Sequence, residues 1–300
     1  MVWRRLVLIV CAVGLLAGCS PAPTPSPTPS TPAPDLTAPG LAAEAIDQLM
    51  AYAGSTRVIN VEITRSEARL AVVIGQQAQT YAWRDGTVSP VDADTAYVGQ
   101  AIFDPRDYNL SDLAVLFATA AAMAGSDKNQ KLQIVDYDEG QVYLNITTNP
   151  ETLPVFFTTT GQLVPLLDPT GLTSLAGGLA EVVDGSTAVV RLGIGADGSV
   201  FADSPAGVGQ IAHRVRRQQF PAYVQLKTET NPPASFDPTA ISAAQMNCAA
   251  VAVATSLGRS LSDGFALAVY RATPDAGPTI FVTIGGTTLE TTLDGKILPS

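Results

Sequence analysis

Apolar and polar residues alternate along several stretches of the chain, and two of these stretches have the same pattern. In residues 54–63, and again in residues 185–194, apolar side chains fall at every second position. A period of two predicts a strand with one buried face. Other segments are rich in Ala and Leu and end at Gly54, Gly125 and Gly258. These segments predict helices, because glycine readily adopts the left-handed conformation that closes a helix.

The predicted strands and helices occur twice in the same order. Three segments of the first part of the chain recur later, namely GSTRVINVEI (54–63) as GSTAVVRLGI (185–194), FDP (103–105) as FDP (236–238), and TGQLVP (160–165) as DGKILP (294–299). Repetition in a fixed order indicates an internal duplication. We therefore predict two homologous halves, residues 41–168 and residues 169–300.

Within each half, strands follow strands without helical crossovers, which predicts antiparallel sheets. The predicted fold class is α+β, with two tandem homologous halves and helices packed on one face of the antiparallel sheet in each. This layout resembles that of PepSY-type and beta-lactamase-inhibitor-type extracellular modules. The resemblance is one of layout only, and it transfers no functional residue to this chain.

The N-terminus has the order of parts found in a secretion signal. Two arginines precede an apolar run at residues 6–16, which is well short of the roughly 20 residues that a membrane-spanning helix needs. The segment that follows, Leu16-Ala17-Gly18-Cys19, resembles the lipobox of bacterial lipoproteins. The resemblance implies that residues 1–18 are a signal peptide. It also implies that Cys19 becomes the lipidated first residue, which anchors the mature protein to the membrane.

Residues 19–40 form a segment rich in Pro, Ser and Thr. Proline at nearly every second position opposes helix and sheet and favours an extended polyproline II tether. Together with a lipid on Cys19, this segment predicts a body held away from the extracytoplasmic face of the cell membrane. We expect the membrane to be one partner of the protein, reached through that lipid.

The mature chain is acidic. Removal of residues 1–18 takes away two arginines and no acid, leaving 15 Lys and Arg against 27 Asp and Glu, a net charge of −12. Nucleic acid is therefore not an expected partner, since its binding depends on neutralising phosphates with positive charge.

The mature chain contains one histidine, His213, and no nucleophile-elbow, phosphate-loop, C-x-x-C or H-E-x-x-H motif. Enzymes that use these motifs are excluded, and we expect no metal, no cofactor and no catalytic residues. Cys248 lies in an almost wholly apolar stretch, which predicts a buried and unreactive thiol.

One positive segment stands out from the acidic background. His213, Arg214, Arg216 and Arg217 lie together in QIAHRVRRQQF, where the first half has QAQTYAWRDGTV. Arginine suits recognition of anions and carboxylates, so these four residues are the candidate partner-binding residues. The alternative is a solvated strand or helix face whose charges pair with nearby acids.

These observations predict a non-catalytic lipoprotein that acts as a binding or scaffold module for a protein or cell-envelope component. The long tether suits a module that reaches a partner beyond the membrane surface. The alternative is a carrier of lipid or another apolar ligand in a cavity between helices and sheet. An enzyme that acts on cell-wall material through carboxylates is a third possibility.

Overall fold

A computed structural model describes residues 34–93, 95–138 and 140–299. The signal peptide, Cys19 and residues 19–33 of the tether therefore lie outside the described residues. The first half contains α1 (Leu41–Ala53), β1 (Val58–Ile63), β2 (Glu67–Ile74), β3 (Gln77–Arg84), β4 (Thr87–Val91), α2 (Leu113–Ala124), β5 (Lys131–Asp138), β6 (Gln141–Thr147) and β7 (Val155–Phe157). The second half contains α3 (Leu172–Val183), β8 (Arg191–Ile194), β9 (Val200–Gly207), β10 (Gln210–Arg216), β11 (Tyr223–Thr228), α4 (Ala243–Ser256), β12 (Phe265–Tyr270), β13 (Thr279–Ile284) and β14 (Thr287–Thr291).

Each half is built on one seven-stranded antiparallel sheet. The strand order is β4-β3-β2-β1-β5-β6-β7 in the first half and β11-β10-β9-β8-β12-β13-β14 in the second, which is the same order. A single β-bridge that is separate from the paired strands is also repeated. Val58 pairs with Phe103 in the first half, and Val189 pairs with Phe236 in the second. The predicted fold class, α+β with two homologous halves, is confirmed.

Helices cover one face of each sheet. In α1 the buried residues Ala42, Ala45, Ile46 and Leu49 follow the helical period and pack with apolar residues of the sheet in one core. The helix ends as its sequence predicts, since Gly54 has φ 61° and its N–H donates to the Met50 carbonyl. Among the described residues, no helix is long and apolar enough to cross a membrane.

The second half repeats this core under α3 and α4. Met246, Ala249, Ala250 and Val253 of α4 are buried against the sheet, whereas Cys248 is exposed. The prediction of a buried Cys248 is therefore wrong. The stretch is apolar on all sides, so its composition does not reveal which face of the helix meets the core.

The two halves pack into one compact unit, residues 34–300. Phe156 of β7 is 2% exposed although it lies on the face of the first sheet opposite Phe157 and the helices. Its ring makes edge contacts with Tyr137 and Tyr143, at centroid distances of 4.9 and 6.3 Å, and with Phe220 of the second half at 6.0 Å. These four aromatic residues form the apolar part of the junction between the halves.

Candidate binding sites

Sheet register gives an exact counterpart in the first half for two residues of the positive segment. Across β1, β2 and β3, Val61 pairs with Leu70 and Leu70 with Tyr81. Across β8, β9 and β10, Leu192 pairs with Ala202 and Ala202 with Arg214. Since Leu192 repeats Val61, Arg214 stands where the first half has Tyr81.

The same register places Arg216 at the counterpart of Trp83. Trp83 is 2% exposed in the core of the first half, and its indole N–H donates to Gln48 of α1. Arg214 and Arg216 therefore lie on the helix-covered face of the second sheet, at positions that hold core aromatic residues in the other half.

Glu181 of α3 and Asp184, which caps the end of that helix, pair with the two arginines. Nε of Arg216 lies 2.7 Å from the Glu181 carboxylate, and Nη2 of Arg214 lies 3.1 Å from the Asp184 carboxylate. Burial raises the pKa of Glu181, although both arginines oppose the shift. The sequence pattern does not single out these acids. The structure relates Glu181 to Gln48 of α1, since Glu181 pairs with Arg216 as Gln48 bonds to Trp83.

The arginine pairs also join the halves. Nη2 of Arg216 donates to the Pro165 carbonyl at 2.6 Å, and the side-chain amide of Gln141 donates to Asp184 at 3.0 Å. Tyr143 lies against the same charges, and burial is the main cause of its raised pKa. Arg214 and Arg216 thus form ion pairs within the chain, while Nε and Nη2 of Arg214 and Nε of Arg216 are buried without a hydrogen-bond partner among the described residues.

His213 points to the other face of the second sheet. Its Nδ1 lies 2.6 Å from the buried Asp203 carboxylate, which also accepts a hydrogen bond from Arg191. Arg191 in turn pairs with Glu229. The His213 side chain is 14% exposed, so this cluster stabilises the outer face of the sheet more than it offers a surface.

The structure therefore does not bring the four predicted binding residues together on one surface. Alternation along β10 directs His213 to one face and Arg214 and Arg216 to the other. Arg217 follows the strand with its side chain 51% exposed, 3.5 Å from Asp197. Partner binding by the segment stays a prediction, and Arg217 is the member whose guanidinium is accessible for it.

A groove of about 550 Å³ opens in the first half between α1 and the FDP segment. Phe103 bridges to β1, and the Asp104 carboxylate accepts the Arg106 backbone N–H at 3.0 Å, which folds Pro105–Asp107 into a single 3-10 turn. This turn forms one wall of the groove. The lining includes Ile46, Asp47, Arg106, Asp107, Asn109 and Thr160.

Charged groups line the rim of this groove, which we call the FDP groove. Arg106 is held by the Asp104 carboxylate, and this hydrogen bond is the main reason that its pKa is raised. Asp47 and Asp107, which line the same groove, also raise the pKa of Arg106 by smaller amounts. Tyr108 forms part of the floor, where burial raises its pKa to about 12.

The second half has a related groove with different chemistry. Its volume is about 310 Å³, and it lies between α3 and the second FDP segment, where Asp237 again accepts the backbone N–H two residues on. Trp83 of the first half bonds to Gln48, and its counterpart Arg216 pairs with Glu181, which gives the two helices an offset of 133. Ala180, Thr239 and Ala240 therefore stand where the first half has Asp47, Arg106 and Asp107. The duplicated framework therefore keeps the groove and omits its charges.

An apolar groove of about 310 Å³ lies at the end of α2, next to the junction. Met123, Leu153 and Leu166 line it and are 54%, 66% and 68% exposed. Gln219 of the second half closes one side and is the single polar residue of its lining. Exposed apolar groups that converge in this way mark a surface able to bind an apolar group.

Nothing in the described ranges assembles a metal centre, since no group of three or more His, Cys, Asp or Glu residues there has suitable geometry. Two acidic residues at the end of β5 make structural contacts instead. The Asp136 carboxylate accepts the backbone N–H groups of Ala101 and Gly140, and the Asp138 carboxylate accepts that of Val224.

No protein-family model matches the chain, and no curated protein matches it. Among solved structures, the chain is similar to the DNA polymerase sliding clamp of Pseudomonas aeruginosa, at 12% identity and a TM-score of 0.14, over 77% of this chain and 55% of that one. It is also similar to the beta clamp of Helicobacter pylori bound to a DNA ligase peptide, at 11% identity and a TM-score of 0.15, over 87% and 66%. The chain thus spans 55% to 66% of the length of these clamps. A likeness with such TM-scores carries no conclusion about function.

Proposed function

We propose that the protein is a lipid-anchored, extracytoplasmic binding module without catalytic activity, whose ligand site is the FDP groove of the first half. The partner is a protein or another component of the cell envelope. The lipobox and tether support the location, and the FDP groove supports the binding role. Its size and its apolar floor with a few polar groups at the rim are those of ligand sites in general.

The charge difference between the two halves is the observation that carries this proposal. The second half builds a groove at the same turn and helix with Ala180, Thr239 and Ala240 in place of the charged residues. The fold therefore does not need Asp47, Arg106 or Asp107. The described residues include no hydrogen-bond partner for the Asp47 or Asp107 carboxylate, so both are free to meet a ligand.

A photo-crosslinking amino acid at Asp47 tests the FDP groove in the full-length protein within its own membranes. We expect crosslinking to a discrete partner from this position. Glu44 provides a matched control, because it is exposed on the same helix one turn away but does not line the groove. Equal crosslinking from both positions, or none from Asp47, would contradict the proposal.

The apolar groove favours a second function, the transport or storage of an apolar ligand. Its lining of Met, Leu, Val and Phe side chains supports this alternative, and its volume lies at the low end for small-molecule sites. A carrier would bring a non-covalent lipid through purification, and native mass spectrometry of protein extracted from its own membranes would detect it.

A further inference from the structure

The edge strand β11 has free backbone groups that point away from the sheet. Within an antiparallel pair, residues whose N–H and C=O bond to the partner strand alternate with residues whose groups face outward. Glu229 donates its N–H to Gly209, which continues the β10–β11 register. Gln225 and Lys227 therefore bond to β10, and Val224, Leu226 and Thr228 direct their backbone groups to the outside.

The contact at Val224 supports this register. Its outward N–H donates to the Asp138 carboxylate of the first half at 2.6 Å. Leu226 and Thr228 have no such partner within the described part of the chain. The Leu226 side chain is 65% exposed, and residues 225–228 are all exposed, so this length of edge is accessible.

The edge strand of the first half, β4, ends before the positions equivalent to Leu226 and Thr228. Pro90 of β4 pairs with Tyr81 as Val224 of β11 pairs with Arg214, so Pro90 is the counterpart of Val224. Proline has no N–H to donate and is the residue with which proteins block an edge strand. Pro90 thus stands where Val224 meets Asp138 in the second half, and the counterpart of Leu226 is Asp92, which lies beyond the end of β4. The accessible length at Leu226 and Thr228 therefore belongs to the second sheet.

We propose that β11 binds an extended peptide segment of a partner protein, which adds an eighth strand to the second sheet through Leu226 and Thr228. In this mode of recognition, main-chain hydrogen bonds supply much of the affinity. The Asp138 contact fixes one end of the site, so the added strand pairs from Leu226 towards Thr228. The surface is separate from the FDP groove, and either site can fail without the other.

Proline at Leu226 removes an outward N–H and leaves the β10–β11 hydrogen bonds in place, as Pro90 does in the first half. The probe is the peptide that binds the full-length protein with the highest affinity after selection from a library of displayed random peptides. We expect Leu226→Pro to weaken its binding by about tenfold or more, since it removes a hydrogen bond and obstructs the approach of the strand. Leu226→Ala keeps the N–H and should change binding by less than about threefold.

Hydrogen exchange provides the second measurement. We expect the bound peptide to protect the amides of Leu226 and Thr228, which are open to solvent in the free protein. Thermal unfolding verifies that Leu226→Pro is folded. Failure to select any peptide, equal binding to Leu226→Pro, or a bound peptide that leaves both amides unprotected would overturn the proposal.

Discussion

Replacing Arg216 with alanine is expected to lower the free energy of unfolding by about 2–3 kcal/mol. The side chain is 3% exposed, pairs with Glu181 and donates to the Pro165 carbonyl of the other half. Its loss leaves the Pro165 carbonyl without its donor and the Glu181 carboxylate without its paired cation. The cost stays below that of a fully buried pair because Glu181 is 38% exposed and remains partly hydrated. Urea denaturation of the mature protein measures this difference.

Arg217→Ala is the matched control, since Arg217 is the next residue and its pair with Asp197 is exposed. We expect it to cost less than about 1 kcal/mol. The double variant Arg216→Trp with Glu181→Gln restores the pair of the first half, in which Trp83 donates to Gln48. We expect it to recover much of the stability, because a well-packed neutral pair can replace a buried ion pair. An equal cost for Arg216→Ala and Arg217→Ala would contradict the structural role of Arg216.

Phe156→Ala is expected to cost about 3–5 kcal/mol and to uncouple the two halves. The substitution leaves a cavity in the aromatic cluster of the junction and removes the edge contact with Phe220. Because this contact links the halves, we expect their unfolding to separate into two transitions, which calorimetry resolves.

Phe281 provides the comparison for Phe156. It stacks on Tyr270 at 4.3 Å between ring centroids, on the second sheet and outside the junction cluster. Phe281→Ala should cost less, because the ring is only half-buried, and should leave a single transition. If Phe281→Ala splits the transition and Phe156→Ala does not, the junction does not couple the halves.

The sequence predicts most of the fold because local patterns of apolar, polar and glycine residues determine most of its strands and helices. Alternation identifies the strands, the glycines at 54 and 125 mark helix ends, and the repeated segments show that one architecture occurs twice. Each of these signals involves residues that are close in sequence, or it occurs at equivalent positions in both halves. The exposure of Cys248 escapes prediction because a helix that is apolar all round does not show which face meets the sheet.

The sites are less predictable because tertiary contacts create them. Arg214 and Arg216 look like a surface charge cluster until α3 brings Glu181 and Asp184 against them. Alternation alone could have separated His213 from its two neighbours. The FDP groove joins Asp47 and Arg106 from distant parts of the chain, and only comparison of the halves marks these charges as unnecessary for folding.

Native mass spectrometry of the full-length protein, extracted from its own membranes, tests the central claim most directly. We expect a covalent mass that begins at a lipidated Cys19, with a bound partner or ligand that Asp47→Trp displaces and Glu44→Trp keeps. An unmodified Cys19 or a retained signal peptide would contradict the anchor. A bound species that both variants keep, above all a non-covalent lipid, would contradict binding in the FDP groove and favour the carrier.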